Sequence, residues 1–222
     1  MTREPLHSVR LTVWVFVVGA VSALEYVARF TGSTNSASTR NQVYSYSAFV
    51  GGLVFYGLIL GAVLAIAHDR KDFLALRWPG GHPLRIAAGV FVSIYVVEAL
   101  VTLLPIRNPG NEQGLTPAHW EPAHAGAFAA NVVLLVIFAP IVEELTFRGV
   151  GQSLLQPFGR WPSILGIGVA FGLWHGLVEA ELVLIPFGIG LAYLRDRTRS
   201  TIPGLLVHAA FNGLALALSV LT

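Results

Sequence analysis

Seven apolar runs divide the chain, at about 11–29, 46–67, 84–105, 125–147, 161–177, 182–194 and 203–221. Most reach the ~20 residues that a helix needs to cross about 30 Å of hydrocarbon. The connections between them are polar, and the longest, near 30–45 and 106–124, are Gly/Ser/Thr/Asn- and Pro-rich loops. This pattern predicts an all-α fold: a polytopic transmembrane helix bundle of about seven to eight helices. The sixth run is short and carries Pro186 with several glycines, so a break in it, or support from its neighbours, is expected. The first run follows "MTREPLHSVR" and is long enough to span, so it reads as a retained helix rather than a cleaved secretory signal. With no soluble insertion between the runs, residues 1–222 are expected to form a single integral-membrane domain.

Composition supports the membrane reading. The 222 residues are 55% hydrophobic and only 12% charged, against roughly 25% charged in soluble domains. Mean hydropathy is +0.68. Charge then sets an orientation. With the N-terminus placed in the cytoplasm, the inner segments hold Arg3, Arg10, Arg70, Lys71, Arg77, Arg85, Arg148, Arg160, Arg195, Arg197 and Arg199. Only Arg29, Arg40 and Arg107 fall outside, an asymmetry of the positive-inside kind. The expectation is a multi-pass protein of the cell membrane, with a cytoplasmic N-terminus and the lipid bilayer as its first partner. The net charge of +2 reflects topology and suggests no nucleic acid. Cysteine is absent, which excludes disulfides, thiolate metal sites and a cysteine nucleophile. No internal repeat of similar halves is evident, which argues against an inverted-repeat transporter.

Charged residues at bilayer depth cost several kcal/mol and need a partner, a watery cavity or a function. The stretch "FAPIVEELTFRG" is therefore the loudest signal in the chain. Glu144 and Arg148 are four apart, share a helix face and can pair. Glu143 points about 100° away and is left free to face something else. Pro140, just upstream, is expected to free backbone groups or bend the helix. Alternatively the stretch is simply a solvated helix end. Two further runs carry polar groups at helical spacing: "FGLWH", with Phe171 and His175, and "HAAFN", with His208 and Asn212. Gly159 lies 16 residues after Glu143 and 16 before His175, so an antiparallel hairpin places both about 24 Å from the turn.

A glutamate, two histidines and an asparagine on facing helices suit water activation. Burial favours the neutral form of a carboxylic acid and so makes a carboxylate a stronger base. Imidazole and amide N–H groups can stabilise the oxyanion of a tetrahedral intermediate. The predicted reaction is amide hydrolysis without a covalent intermediate and without a cofactor. Glu143, His175 and His208 are also a plausible zinc ligand set, although the short metalloprotease signature is absent.

The ordered motifs Glu-Glu-x-x-x-Arg, Phe-x-x-x-His and His-x-x-x-Asn, on successive helices across about 130–215, resemble the CPBP family of intramembrane proteases. That family includes the type II CAAX prenyl endopeptidases and bacterial bacteriocin-processing or self-immunity proteins. The resemblance implies about eight helices around a conical catalytic cavity open to the cytoplasm. It makes Glu143 the water-activating base with His175, and His208 with Asn212 the oxyanion-binding pair. Glu144, Arg148 and Phe171 become supporting residues. The substrate it implies is a membrane-associated peptide or protein, not necessarily prenylated. A non-catalytic scaffold or bacteriocin-immunity protein binding peptide in the same cavity, and a small transporter using the buried acids, are the alternatives.

Lesser features have local readings. Glu25 with Arg29 reads as a structural pair, and Glu98 as a cavity-lining acid or a locally paired one. Glu179 reads as a loop residue four after His175, and His119 and His124 as outer-loop residues and not metal ligands. His68 and His82 flank a basic connection suited to anionic headgroups. Trp14, Trp78, Trp120 and Trp161 read as an interfacial aromatic belt.

Overall fold

The computed structural model describes residues 4–31, 42–80, 82–104, 117 and 120–221. Among these residues it is all-helical, with seven helices and no strand. We label them α1 (Glu4–Phe30), α2 (Tyr46–Ile66), α3 (Pro83–Val101), α4 (Pro122–Phe158), α5 (Arg160–Trp174), α6 (Glu181–Thr198) and α7 (Ile202–Leu221). Helices α1, α2, α3, α4 and α7 are long and apolar enough to cross a membrane, yet only 17–33% of each apolar window is buried within the protein. Large side chains such as Phe16, Leu24, Leu58 and Leu103 point outward. An apolar surface of this extent is what lipid, not water, would cover. The chain is therefore a multi-pass helix bundle of the bilayer.

The fourth run is longer than the apolar pattern predicts. It continues through "GVGQSLLQPF" to Phe158, giving 37 residues and a length of about 55 Å. Gly159, at φ +110°, ends it. A residue with a Cβ is strained there, so the chain turns sharply into α5. Helix α6 runs unbroken through Pro186, so of the two expectations it is support from its neighbours that holds and not a break. It packs on α5, α3 and α7, and these neighbours supply the support that its sequence lacks.

Helices in lipid gain little from apolar burial against one another, so close contact through small residues matters more. At the α5–α6 crossing, a Cβ on Gly168 would stand 2.8 Å from the backbone nitrogen of Ile189, and one on Gly188 would stand 2.8 Å from the carbonyl of Gly168. The two backbones meet at Gly168 and Gly188, and the Ile189 side chain fills the rest of the space that a Cβ on Gly168 would need. Trp14 likewise fills the space that a side chain at Gly151 would need. Trp14 is 4% exposed and its Nε1–H donates to the Thr146 carbonyl at 2.8 Å, so it is a core residue and not part of an interfacial belt. Trp78, Trp120 and Trp161 are exposed.

Contacts between connections gather the basic segments at one end. Arg10 pairs with Asp69, Ser153 Oγ donates to the Phe73 carbonyl, and Arg77 Nε donates to the Arg199 carbonyl. Arg3, Arg40, Arg107 and His119 lie outside the described residues. Of the acids and bases in the loops, His124 pairs with Glu121 at 3.0 Å.

Replacing Gly168 with alanine should lower the thermal unfolding midpoint in detergent, at a cost of about 1–3 kcal/mol from overpacking. Gly61→Ala, where a Cβ meets nothing within 4 Å, should leave the midpoint unchanged.

Candidate active site

Helix α4 is not a uniform α-helix. Leu134–Phe138 and Leu145–Gly151 are π-helical, with bonds reaching five residues back. Pro140 bears directly on the first stretch. The Ala139 N–H bonds the Leu134 carbonyl, five residues before it. The next bond in that register would run from residue 140 to Leu135, and proline has no N–H to give. Asn212 Nδ2 on α7 fills the gap, donating to the Leu135 carbonyl at 2.9 Å. In the second stretch, side chains from other helices also reach the backbone. Trp14 bonds the Thr146 carbonyl, and Arg195 Nε bonds the Arg148 carbonyl at 3.1 Å.

Glu143, Glu144 and Arg148 sit at and beside this second stretch, and they are 4%, 1% and 0% exposed. The solvated-helix-end reading fails. So does the count of Arg148 among the connection residues, because it lies wholly inside the bundle. Arg148 Nη1 donates to Glu144 Oε1 at 2.8 Å and Nη2 to the Gly188 carbonyl at 3.1 Å. Its guanidinium carbon stands 4.3 Å from the centre of the Phe171 ring, a cation–π contact. The pair expected from the i,i+4 spacing is thus present and fully enclosed.

His208 joins the two glutamates. A carboxylate can only accept, so the Nδ1–H donates to Glu144 Oε1, 3.1 Å away. The opposite nitrogen, Nε2, stands 3.6 Å from Glu143 Oε2, a reach too long for a direct bond. Glu143 is not free, as its helical angle suggests: Tyr56 on α2 donates its hydroxyl to Glu143 Oε1 at 2.8 Å. Among the described residues no arginine or lysine forms an ion pair with Glu143. Gly204 faces Glu144, where a Cβ would stand 2.7 Å from Oε2 and push the carboxylate aside.

His175 caps the end of α5 and is half-buried. Its Nδ1–H donates to the Phe171 carbonyl at 2.9 Å, which leaves Nε2 as the acceptor in the neutral ring. Glu143 is near enough to act on its charge. The Phe171 ring lies between the two imidazoles, with centroids 4.8 Å from His175 and 5.7 Å from His208. Asn212, one turn beyond His208, has its bonded amide proton directed at Leu135 and one N–H to spare.

Glu143, Glu144, Arg148, Phe171, His175 and His208 therefore converge, while Asn212 is anchored to the neighbouring π turn. Tyr56 escapes sequence reading because it lies 87 residues from Glu143 in an apolar helix with no motif around it. Among the described residues no group of three His, Asp or Glu side chains is arranged to hold a metal ion. His208 thus holds Glu144 through Nδ1 and turns Nε2 toward Glu143.

Residues 125–214 match the family described as Rce1-like, type II CAAX prenyl endopeptidase. Residues 125–214 are a domain of that family. The match takes in all three motifs and stops short of α1 to α3. The Rce1-like family is one of intramembrane proteases, which agrees with the resemblance carried by the motifs. No curated protein and no solved structure matches the chain.

Removing one member of a buried ion pair strands the other, at about 3–5 kcal/mol. Arg148→Met should therefore lower the unfolding midpoint far more than the double variant Arg148→Met/Glu144→Gln, in which no charge is stranded. A thermal-denaturation double-mutant cycle in detergent reads the difference.

Proposed function

We propose that the chain is an intramembrane endopeptidase in which Glu143 activates water against a peptide bond of a membrane-associated peptide or protein. One observation carries this reading: of two adjacent buried acids, only Glu144 has an arginine. Glu143 has a tyrosine hydroxyl and an imidazole edge instead. A purely structural acid at this depth would be expected to hold a cation.

In this mechanism the water lies between Glu143 and His175. Glu143 takes its proton as the oxygen attacks the carbonyl carbon, and His175 Nε2 accepts the water's other hydrogen bond. The C=O electron pair moves to oxygen, where His208 Nε2–H and the spare Asn212 N–H stabilise the charge. Collapse re-forms the carbonyl and breaks the C–N bond, and Glu143 passes its proton to the leaving amine. Glu144, itself fixed by Arg148, orients His208 through Nδ1, and Phe171 sets the ring positions. Tyr56 fixes the rotamer of Glu143. We further assign the chain to the cell membrane as a single domain with a cytoplasmic N-terminus, supported by the gathering of its basic segments at one end.

Replacing Glu143 with glutamine should reduce cleavage of a peptide library, or of the host membrane proteome, by about 10²–10⁴-fold. Unchanged processing would overturn the mechanism. Tyr56→Phe removes one hydrogen bond to a charged group, and a loss of roughly tenfold or more is expected. Activity should survive exhaustive chelation, and its loss with rescue by added zinc would favour a zinc-dependent protease.

A further inference from the structure

The end of the bundle that gathers the basic segments contains a cavity of about 590 Å³, away from the glutamates. Its walls come from three parts of the chain: the α2–α3 connection, the end of α4, and the end of α6. Arg70, Lys71, Arg77, Arg195 and Arg199 line it, against a single acid, Asp72. That acid is already spent, since Arg70 Nε and Nη2 donate to its two oxygens at 3.0 and 2.9 Å. The other acids near this end are also engaged, Asp69 with Arg10 and Asp196 with Arg160. Among the described residues, no carboxylate pairs with Lys71, Arg77, Arg195 or Arg199.

Of these cations Arg195 is buried in the floor, while Lys71, Arg77 and Arg199 are exposed. Arg195 is 5% exposed, with Nε on the Arg148 carbonyl and Nη2 on Ser153 Oγ at 3.0 Å. Arg77 and Arg199 are close enough to Arg195 to repel it. Arg77 is tied through Nε to the Arg199 carbonyl, and its two terminal nitrogens have no protein acceptor among the described residues. Arg199 itself is held at φ +56°. Like charges are thus gathered around one cavity with spare donors, and the one acid in its wall, Asp72, is engaged by Arg70. An anion with several acceptor oxygens would relieve that repulsion. Leu76 in its wall is exposed, as are Trp78 and Phe158, the chain neighbours of wall residues Arg77 and Pro157, and Trp161 just beyond, apolar and aromatic groups of the kind that sit among lipid headgroups.

We infer that this cavity binds the phosphate of an anionic glycerophospholipid. The acyl chains run along the exposed apolar side chains at the mouth, and the headgroup phosphate meets Lys71, Arg77 and Arg199. Arg195 forms the floor, one hydrogen bond from the backbone of Arg148, so an occupied cavity also braces the turn that carries the buried ion pair.

Full-length protein in nanodiscs of phosphatidylcholine doped with phosphatidylglycerol is the material for the test. Lipid retained on release is counted by native mass spectrometry, and the unfolding midpoint is followed as phosphatidylglycerol is raised. Wild type should retain phosphatidylglycerol over phosphatidylcholine and should unfold at higher temperature in its presence. Lys71→Gln/Arg77→Gln should weaken that retention about tenfold or more. Arg199→Asn, a residue that tolerates the left-handed backbone, should do the same and covers a failure of the first variant to fold. Arg85→Gln, an exposed arginine that does not line the cavity, should leave retention unchanged. Equal loss with Arg85→Gln, or no preference for phosphatidylglycerol, would overturn the site in favour of diffuse attraction. Inorganic phosphate that stabilises the lipid-free, detergent-solubilised protein and displaces phosphatidylglycerol at comparable concentration would overturn the lipid as the source.

Discussion

The enclosed pair between Glu144 and Arg148 is the constraint on which the centre of this protein depends. A guanidinium with no exposure inside an apolar bundle must have its charge and its donors met by protein. The two terminal nitrogens of Arg148 find a carboxylate on its own helix and a carbonyl on α6, and its charge lies over the face of Phe171 on α5, while Nε has no partner among the described residues. Glu144 in turn reaches α7 through His208. One ion pair thereby ties four helices together. Where lipid makes apolar contact between helices nearly neutral, such polar ties and glycine-mediated contacts set the arrangement.

That arrangement also divides two neighbouring carboxylates. Because Arg148 is spent on Glu144, Glu143 has no arginine or lysine partner among the described residues and turns toward Tyr56 and His208. The π-helical turn contributes by shifting register within α4, so residues beyond Glu144 do not follow the 3.6-residue arithmetic of an ordinary helix. Its backbone carbonyls are then met by Trp14 and Arg195 from distant helices. The same logic applies one turn earlier, where Pro140 removes a donor and Asn212 supplies one. Asn212 thus has a structural duty that its place in a motif does not suggest.

Much of this was legible in the chain. The apolar runs marked the helices, since about 20 consecutive apolar residues have few other stable fates. The i,i+4 spacing of Glu144 and Arg148 identified the ion pair, and equal distances from Gly159 put Glu143 and His175 at one height. The ordered motifs named the family later matched over residues 125–214. Errors arose where local pattern met distant packing. Trp14 looked interfacial, yet it fills the groove left by Gly151. Pro186 leaves a break and support from neighbours equally open to local pattern, and packing on three sides decides for a continuous α6.

By itself, then, the sequence determined a membrane helix bundle, its polar motifs and the Glu144–Arg148 pair within α4, because these follow from composition and short-range periodicity. Only the tertiary structure decided which partner each remaining polar atom takes. Tyr56 on Glu143 and His208 across both glutamates join residues 87 and 64 or more positions apart. Their meeting depends on how each helix is rotated and how its register shifts, and packing sets both.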